Sequence, residues 1–101
     1  MRDQGVQIRE TDEFSSWLTD LKDVRAKAKI LTRIDRLAHG NPGDSQSVGG
    51  GVSEMRLHYG PGYRVYFTRR QLEIVVLLCG GDKSTQESDI KLARRLLEGL
   101  Q

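Results

Sequence analysis

A Gly60-Pro61-Gly62 triplet set between two alternating runs leaves this chain few ways to fold. Proline presets φ near about −65° and glycine supplies backbone angles that other residues avoid, so the triplet reads as a hairpin tip. Side chains alternate faces along a strand. Before the tip, Met55, Leu57 and Tyr59 share one face, and Glu54, Arg56 and His58 the other. After it, Tyr63, Val65 and Phe67 share a face opposite Arg64, Tyr66 and Thr68. Pairing Tyr59 with Tyr63 sets Leu57 against Val65 and Met55 against Phe67. It also sets His58 beside Arg64 and Arg56 beside Tyr66. One side of the hairpin is then apolar, and the other gathers Glu54, Arg56, His58, Arg64 and Tyr66 into a polar patch. A slip of one residue would bury the arginines, so the faces are well specified. A third strand follows at Leu72–Cys79 (LEIVVLLC), nearly all apolar, which suits a strand covered on both faces or set mid-sheet. It ends at Gly80-Gly81-Asp82-Lys83, so Lys83 leaves the sheet edge close to the polar patch.

With 101 residues the chain is expected to be one domain, 1–101, with one modest core. No apolar run is long enough to span a membrane, and the first ten residues lack the apolar centre of a signal peptide, so a cytoplasmic protein is expected. The lone Cys79 sits in an apolar strand and reads as a small core residue. The net charge of +2 does not by itself imply nucleic-acid binding. Its distribution is more telling. Lys22, Arg25, Lys27, Lys29, Arg33 and Arg36 crowd one helical region against Asp20, Asp23 and Asp35, either as a solvated helix face or as a phosphate-contacting surface.

In chain order, Val6–Arg9 is a short alternating edge strand. Thr11 caps a first helix, with Asp12 and Glu13 in its first turn and an apolar stripe of Phe14, Trp17, Leu18 and Leu21. After a break near Lys22-Asp23, Ile30, Ile34, Leu37 and Ala38 mark a second helix, which His39-Gly40-Asn41-Pro42-Gly43 stops. Residues Asn41–Val52 (NPGDSQSVGGGV) read as a flexible connection, without the spacing of a phosphate-binding loop. Ser84 and Glu87 form a capping box for a last helix with stripe Ile90, Ala93, Leu97 and Leu100. No His, Cys and acid cluster has metal-ligand spacing. The expected class is α+β: a small antiparallel-rich sheet with helices on one face, in the order β-α-α-β-β-β-α.

Three segments in order carry a resemblance: RIDRLAHGNPGD, VSEMRLHYGPGYRVYF and VVLLCGGDKSTQESDI. Together they resemble the HigB-like addiction module killer toxins of the RelE/ParE superfamily, found in type II toxin–antitoxin modules. The resemblance implies a small α+β toxin domain held inactive by a cognate antitoxin, usually a HigA-like protein with a helix-turn-helix domain. The expected assembly is a hetero-oligomer of toxin and antitoxin. RelE-type members are ribosome-dependent mRNA endonucleases acting without metal or other cofactor, whereas ParE-type members inhibit DNA gyrase.

Metal-free RNA cleavage needs a base for the ribose 2′-OH, cations for the phosphate and a proton for the leaving 5′-oxygen. By the resemblance, Arg64 stands where RelE-type toxins place a phosphate-stabilising arginine. Arg56 stands at their basic position on the preceding strand, and Lys83 at the basic position just after the last long strand. Many RelE-type nucleases carry a catalytic Tyr or His near the C-terminus. This chain has neither after Phe67, which moves the proton-transfer role to His58 or Tyr66, with Glu54 a further candidate base. Three readings follow: an mRNA endonuclease that engages the ribosome and mRNA, a gyrase inhibitor, or a weakly toxic relic that only binds antitoxin.

Overall fold

The computed structural model describes residues 6–71 and 73–100. The chain runs β1 (Gln7–Glu10), α1 (Asp12–Asp20), α2 (Val24–Ala38), β2 (Ser45–Gly49), β3 (Val52–Arg56), β4 (Arg64–Arg70) and β5 (Ile74–Gly81). A 3₁₀ turn (Lys83–Thr85) then leads into α3 (Gln86–Leu100). The five strands form one sheet in the order β1-β5-β4-β3-β2; β1 runs parallel to β5 and every other pair is antiparallel. The fold is thus α+β with an antiparallel-rich sheet.

Both helices of the first half start where the sequence says they should. The Thr11 hydroxyl accepts from the Phe14 amide at 3.0 Å, and the Asp23 carboxylate from the Ala26 amide at 3.0 Å. Each cap satisfies an amide that the first helical turn would otherwise leave open. Thr11 also donates to the Leu78 carbonyl at 2.6 Å, pinning the start of α1 to the sheet.

The helices do not share one face as expected. Phe14 of α1 with Ile30 and Leu37 of α2 packs on Met55, Leu57, Val65, Phe67, Val75 and Leu77. Ala93 and Leu97 of α3 pack on the opposite side, against Val52, Tyr66, Val76, Leu78 and Cys79. β5 explains this: its residues are apolar on both sides, and a second apolar face needs its own cover. Leu78 forms a bulge, since the register steps from Tyr66↔Cys79 to Phe67↔Leu77.

Four further differences are local. The glycine- and serine-rich segment contains a strand, β2, which makes the order β-α-α-β-β-β-β-α. Gly49, Gly50 and Gly51 turn it back onto β3 with φ of 89°, 67° and 85°, a run of left-handed angles that only glycine adopts cheaply. β3 stops at Arg56 and the tip is wider than a tight hairpin, with the Leu57 amide donating to the Tyr63 carbonyl at 2.9 Å. The register is therefore Met55↔Val65 and Arg56↔Arg64, two residues from the expected one. An even shift preserves the faces. α3 is launched from Asp82, whose carboxylate accepts from the Ser84 amide while the Thr85 hydroxyl accepts from the Asp82 amide, in place of a Ser84–Glu87 box. The third long strand begins at Ile74 and runs on to Gly81; Leu72, its expected first residue, lies outside the described residues. No helix among the described residues is long and apolar enough to cross a membrane.

Candidate functional site

The tip end of the sheet presents one lateral row. Arg64 lies between Arg56 on β3 and Gly81 on β5, and the Arg56 amide donates to the Asp44 carbonyl at 2.9 Å just before β2. Two arginines thus stand directly opposite each other. Like charges so placed destabilise a sheet unless something neutralises them. Two residues deeper on the same side, Glu54 pairs with Tyr66.

Glu54 has no solvent exposure, and its three donors explain how a buried carboxylate is tolerated. Nη1 of Arg64 lies 3.3 Å from Oε1, the Tyr66 hydroxyl donates to Oε2 at 3.1 Å, and Gln86 from the first turn of α3 donates to Oε2 at 2.7 Å. Burial first, then the charge of Glu54, pushes the Tyr66 phenol far above its ordinary range, so it stays protonated and donates. The Arg64 side chain keeps 13% exposure, and its Nε–H is buried without a hydrogen-bond acceptor.

Arg56 belongs to a second cluster. Its Nη2 donates to Asp44 Oδ1 at 2.8 Å, and His58 Nε2 lies 2.5 Å from Asp44 Oδ2. These hydrogen bonds, that of His58 foremost, hold the Asp44 carboxyl below the usual carboxylate range. His58 is 79% exposed, so its imidazole is presented to solvent while Asp44 orients it. Like Arg64, Arg56 has a buried Nε–H with no acceptor. Arg33 of α2 ties the cluster down by donating to the Arg56 carbonyl at 2.8 Å and to the Pro42 and Asp44 carbonyls at 3.3 and 3.4 Å. Lys83 is exposed beside the tip, its amide 3.4 Å from the Pro61 carbonyl.

The two glycines before Asp82 let elements approach from both sides. A Cβ at Gly80 would lie 2.3 Å from the Trp17 ring, and one at Gly81 would lie 1.8 Å from the Asp89 carboxylate. Trp17 of α1 and the start of α3 therefore close on β5 only because neither position carries a side chain.

The polar patch read from alternation divides in two. Glu54, Arg64 and Tyr66 keep the shared side but lie beneath the first turn of α3, while Arg56 and His58 join Asp44 at the margin. Tyr66 is fully buried and does not present its phenol at the surface. Arg64 and Arg56 are direct neighbours; His58 sits in the tip and not beside Arg64. Sequence reasoning misses Asp44 and Gln86, and places Arg33 only among the cations crowding the second helix. Asp44 had one signal, its position in the NPGD segment, but its partners depend on the pairing of β2.

A protein-family model described as phage-derived protein Gp49-like matches residues 16–98. An uncharacterized protein of Haemophilus influenzae is 54% identical over 95 residues, covering 94% of this chain and 96% of the relative.

Proposed function

Because the chain belongs to the Gp49-like family of phage-derived proteins, a family of addiction-module toxins related to RelE and HigB, we propose that it is a HigB-like toxin acting in the cytoplasm as a ribosome-dependent mRNA endonuclease, held inactive by a cognate antitoxin. The observation that carries this reading is the pair of opposed arginines at the tip end of the sheet. Each of Arg56 and Arg64 has one acid, and each has an Nε–H left without an acceptor. A phosphodiester against the exposed edges of both guanidinium groups would relieve the repulsion.

In this reading the ribose 2′-OH attacks the adjacent phosphorus. His58 takes its proton, being the exposed titratable group of the cluster, with Asp44 fixing the ring as the orienting carboxylate. Arg56 and Arg64 stabilise the charge that builds on the phosphate oxygens. Lys83 adds positive charge beside the tip. Glu54 is saturated by three donors, so it holds Arg64 in place and is no free base; Tyr66 supports Glu54 from below. The P–O5′ bond breaks as the P–O2′ bond forms, the leaving oxygen takes a proton from solvent water, and the products are a 2′,3′-cyclic phosphate and a 5′-hydroxyl end.

The test is inducible expression without antitoxin, reading growth and mapping 5′ ends of cellular mRNA, with His58→Ala and Arg64→Ala alongside. Arrest with new in-frame cleavage ends is expected. His58→Ala should lower cleavage by about 10²–10⁴-fold, the usual worth of a general base, with the fold intact. Arrest with whole transcripts would overturn the nuclease reading in favour of gyrase inhibition. No arrest would leave only antitoxin binding.

A further inference from the structure

Beyond that cluster, a groove of about 440 Å³ runs between α2 and the hairpin tip. Arg25, Lys29, Arg33 and Arg36 form one wall, and His58 and Tyr59 stand across from them. The short side chains of Ala28 and Thr32 complete the helix wall, and no acidic residue among the described residues lines the groove. Arg25, Lys29 and Arg36 are exposed and make no ion pair with an acid among the described residues. Lys29 instead sits 5.1 Å above the Tyr59 ring. Arg33 falls below the ordinary guanidinium range, through burial first and with Arg36 adding to it against the pull of Asp44. A helix rises about 1.5 Å per residue, so Arg25 to Arg36 is a cationic row roughly 16 Å long.

Such a row repels itself and calls for a polyanion. A protein helix as occupant would want apolar anchors beside the charges. The exposed aliphatic side chains of α2, Val24 and Leu31, are not among the residues lining the groove. A charged channel with an aromatic on its wall is instead how single-stranded nucleic acid is held, by its phosphates with a base against the ring. His58 belongs both to the groove and to the Asp44–Arg56 cluster, so the channel opens onto the candidate site.

We infer that the groove between α2 and the hairpin tip binds the backbone of single-stranded RNA and delivers it to His58 and the opposed arginines. This rests on the RNA-directed reading above. It adds a binding surface, Arg25, Lys29 and Arg36, whose side chains touch phosphate and take no part in bond breaking.

The probe is a fluorescent, 2′-O-methylated RNA single strand of about a dozen nucleotides, which cannot be cleaved at the 2′ position. Binding to the full chain is measured by anisotropy across a salt series. Each lost phosphate contact lowers the log–log salt slope by about 0.7, so Arg25→Ala/Lys29→Ala/Arg36→Ala should flatten it by roughly 2 and weaken binding about tenfold or more. Arg33 is left in place because it ties down the loop. The control removes equal charge elsewhere, with Arg69→Ala/Lys91→Ala/Arg95→Ala. An equal loss in both triples would reduce the effect to net charge and overturn the inference. So would no loss in either, or a loss of antitoxin binding with RNA affinity unchanged. Groove-dependent binding in a protein that cuts no transcript would sink the nuclease reading and leave the groove standing.

Discussion

A carboxylate sealed from water, such as Glu54, is tolerable only while its donors stay. Arg64→Ala removes the one charged donor and should cost about 3–5 kcal/mol, because a buried charge is then left without its counter-ion. Adding Glu54→Gln should restore much of the loss, since the amide carries no charge. Urea midpoints check this; equal midpoints for the single and double variants would mean that the ion pair contributes nothing. Loss of toxicity in Arg64→Ala thus needs the double variant beside it, to separate lost chemistry from lost fold. Cys79 offers a second residue-scale test. Burial first, with Asp89 and Glu13 adding to it, pushes its thiol up to about 12. A raised pKa means that the folded state holds the proton more tightly, so this stabilisation is complete below the unfolded value near 9 and fades as pH climbs from there towards 12. Native protein should resist maleimide at neutral pH and label on unfolding; prompt native labelling would contradict the burial.

Among the elements, β5 carries the tightest steric constraints. Gly80→Ala drives a methyl into the Trp17 ring and Gly81→Ala drives one into Asp89 and Thr85. Each should cost about 1–3 kcal/mol through forced displacement, the first also altering Trp17 fluorescence. Gly99 near the end of α3 is the contrast: a Cβ there meets nothing within 4 Å, so Gly99→Ala should stabilise by roughly 0.5 kcal/mol. Thermal midpoints order the three variants, and a neutral Gly81→Ala would sink the packing account. The elements that the sequence disclosed are those with a clear period or cap: the hairpin strands, β5, α1 from Thr11, and α2 ending at His39. β2 stayed hidden because Ser-Gln-Ser-Val-Gly has little β preference and is held by its pairing with β3. The register depended on how wide the tip opens, which alternation does not encode. The same limit applied to the site. Alternation correctly grouped Glu54, Arg56, Arg64 and Tyr66, but an apolar stripe on α3 does not say which sheet face it covers. The coverage by α3 is what separates the buried pair from the exposed His58.

At the scale of the whole molecule, one sheet serves two cores. Val65 and Phe67 face α1 and α2 while Tyr66 between them faces α3, so neither layer can leave without exposing the back of the other. Phe14→Ala and Leu97→Ala sit on opposite sides and should both lower the stability of a single transition, the first by about 3–5 and the second by about 2–5 kcal/mol. Trp17 fluorescence reports the first layer and far-UV circular dichroism reports all helices. Coincident curves are expected, and separated ones would mean that the layers melt independently. The parallel pairing of β1 with β5 has a further consequence, for how the protein is made. Thr11 and its Leu78 partner are 67 residues apart, and among the described residues β1 has no strand neighbour other than β5. A nascent chain leaves the ribosome N-terminus first, so β1 waits without its partner until β5 has emerged, and the sheet closes only then.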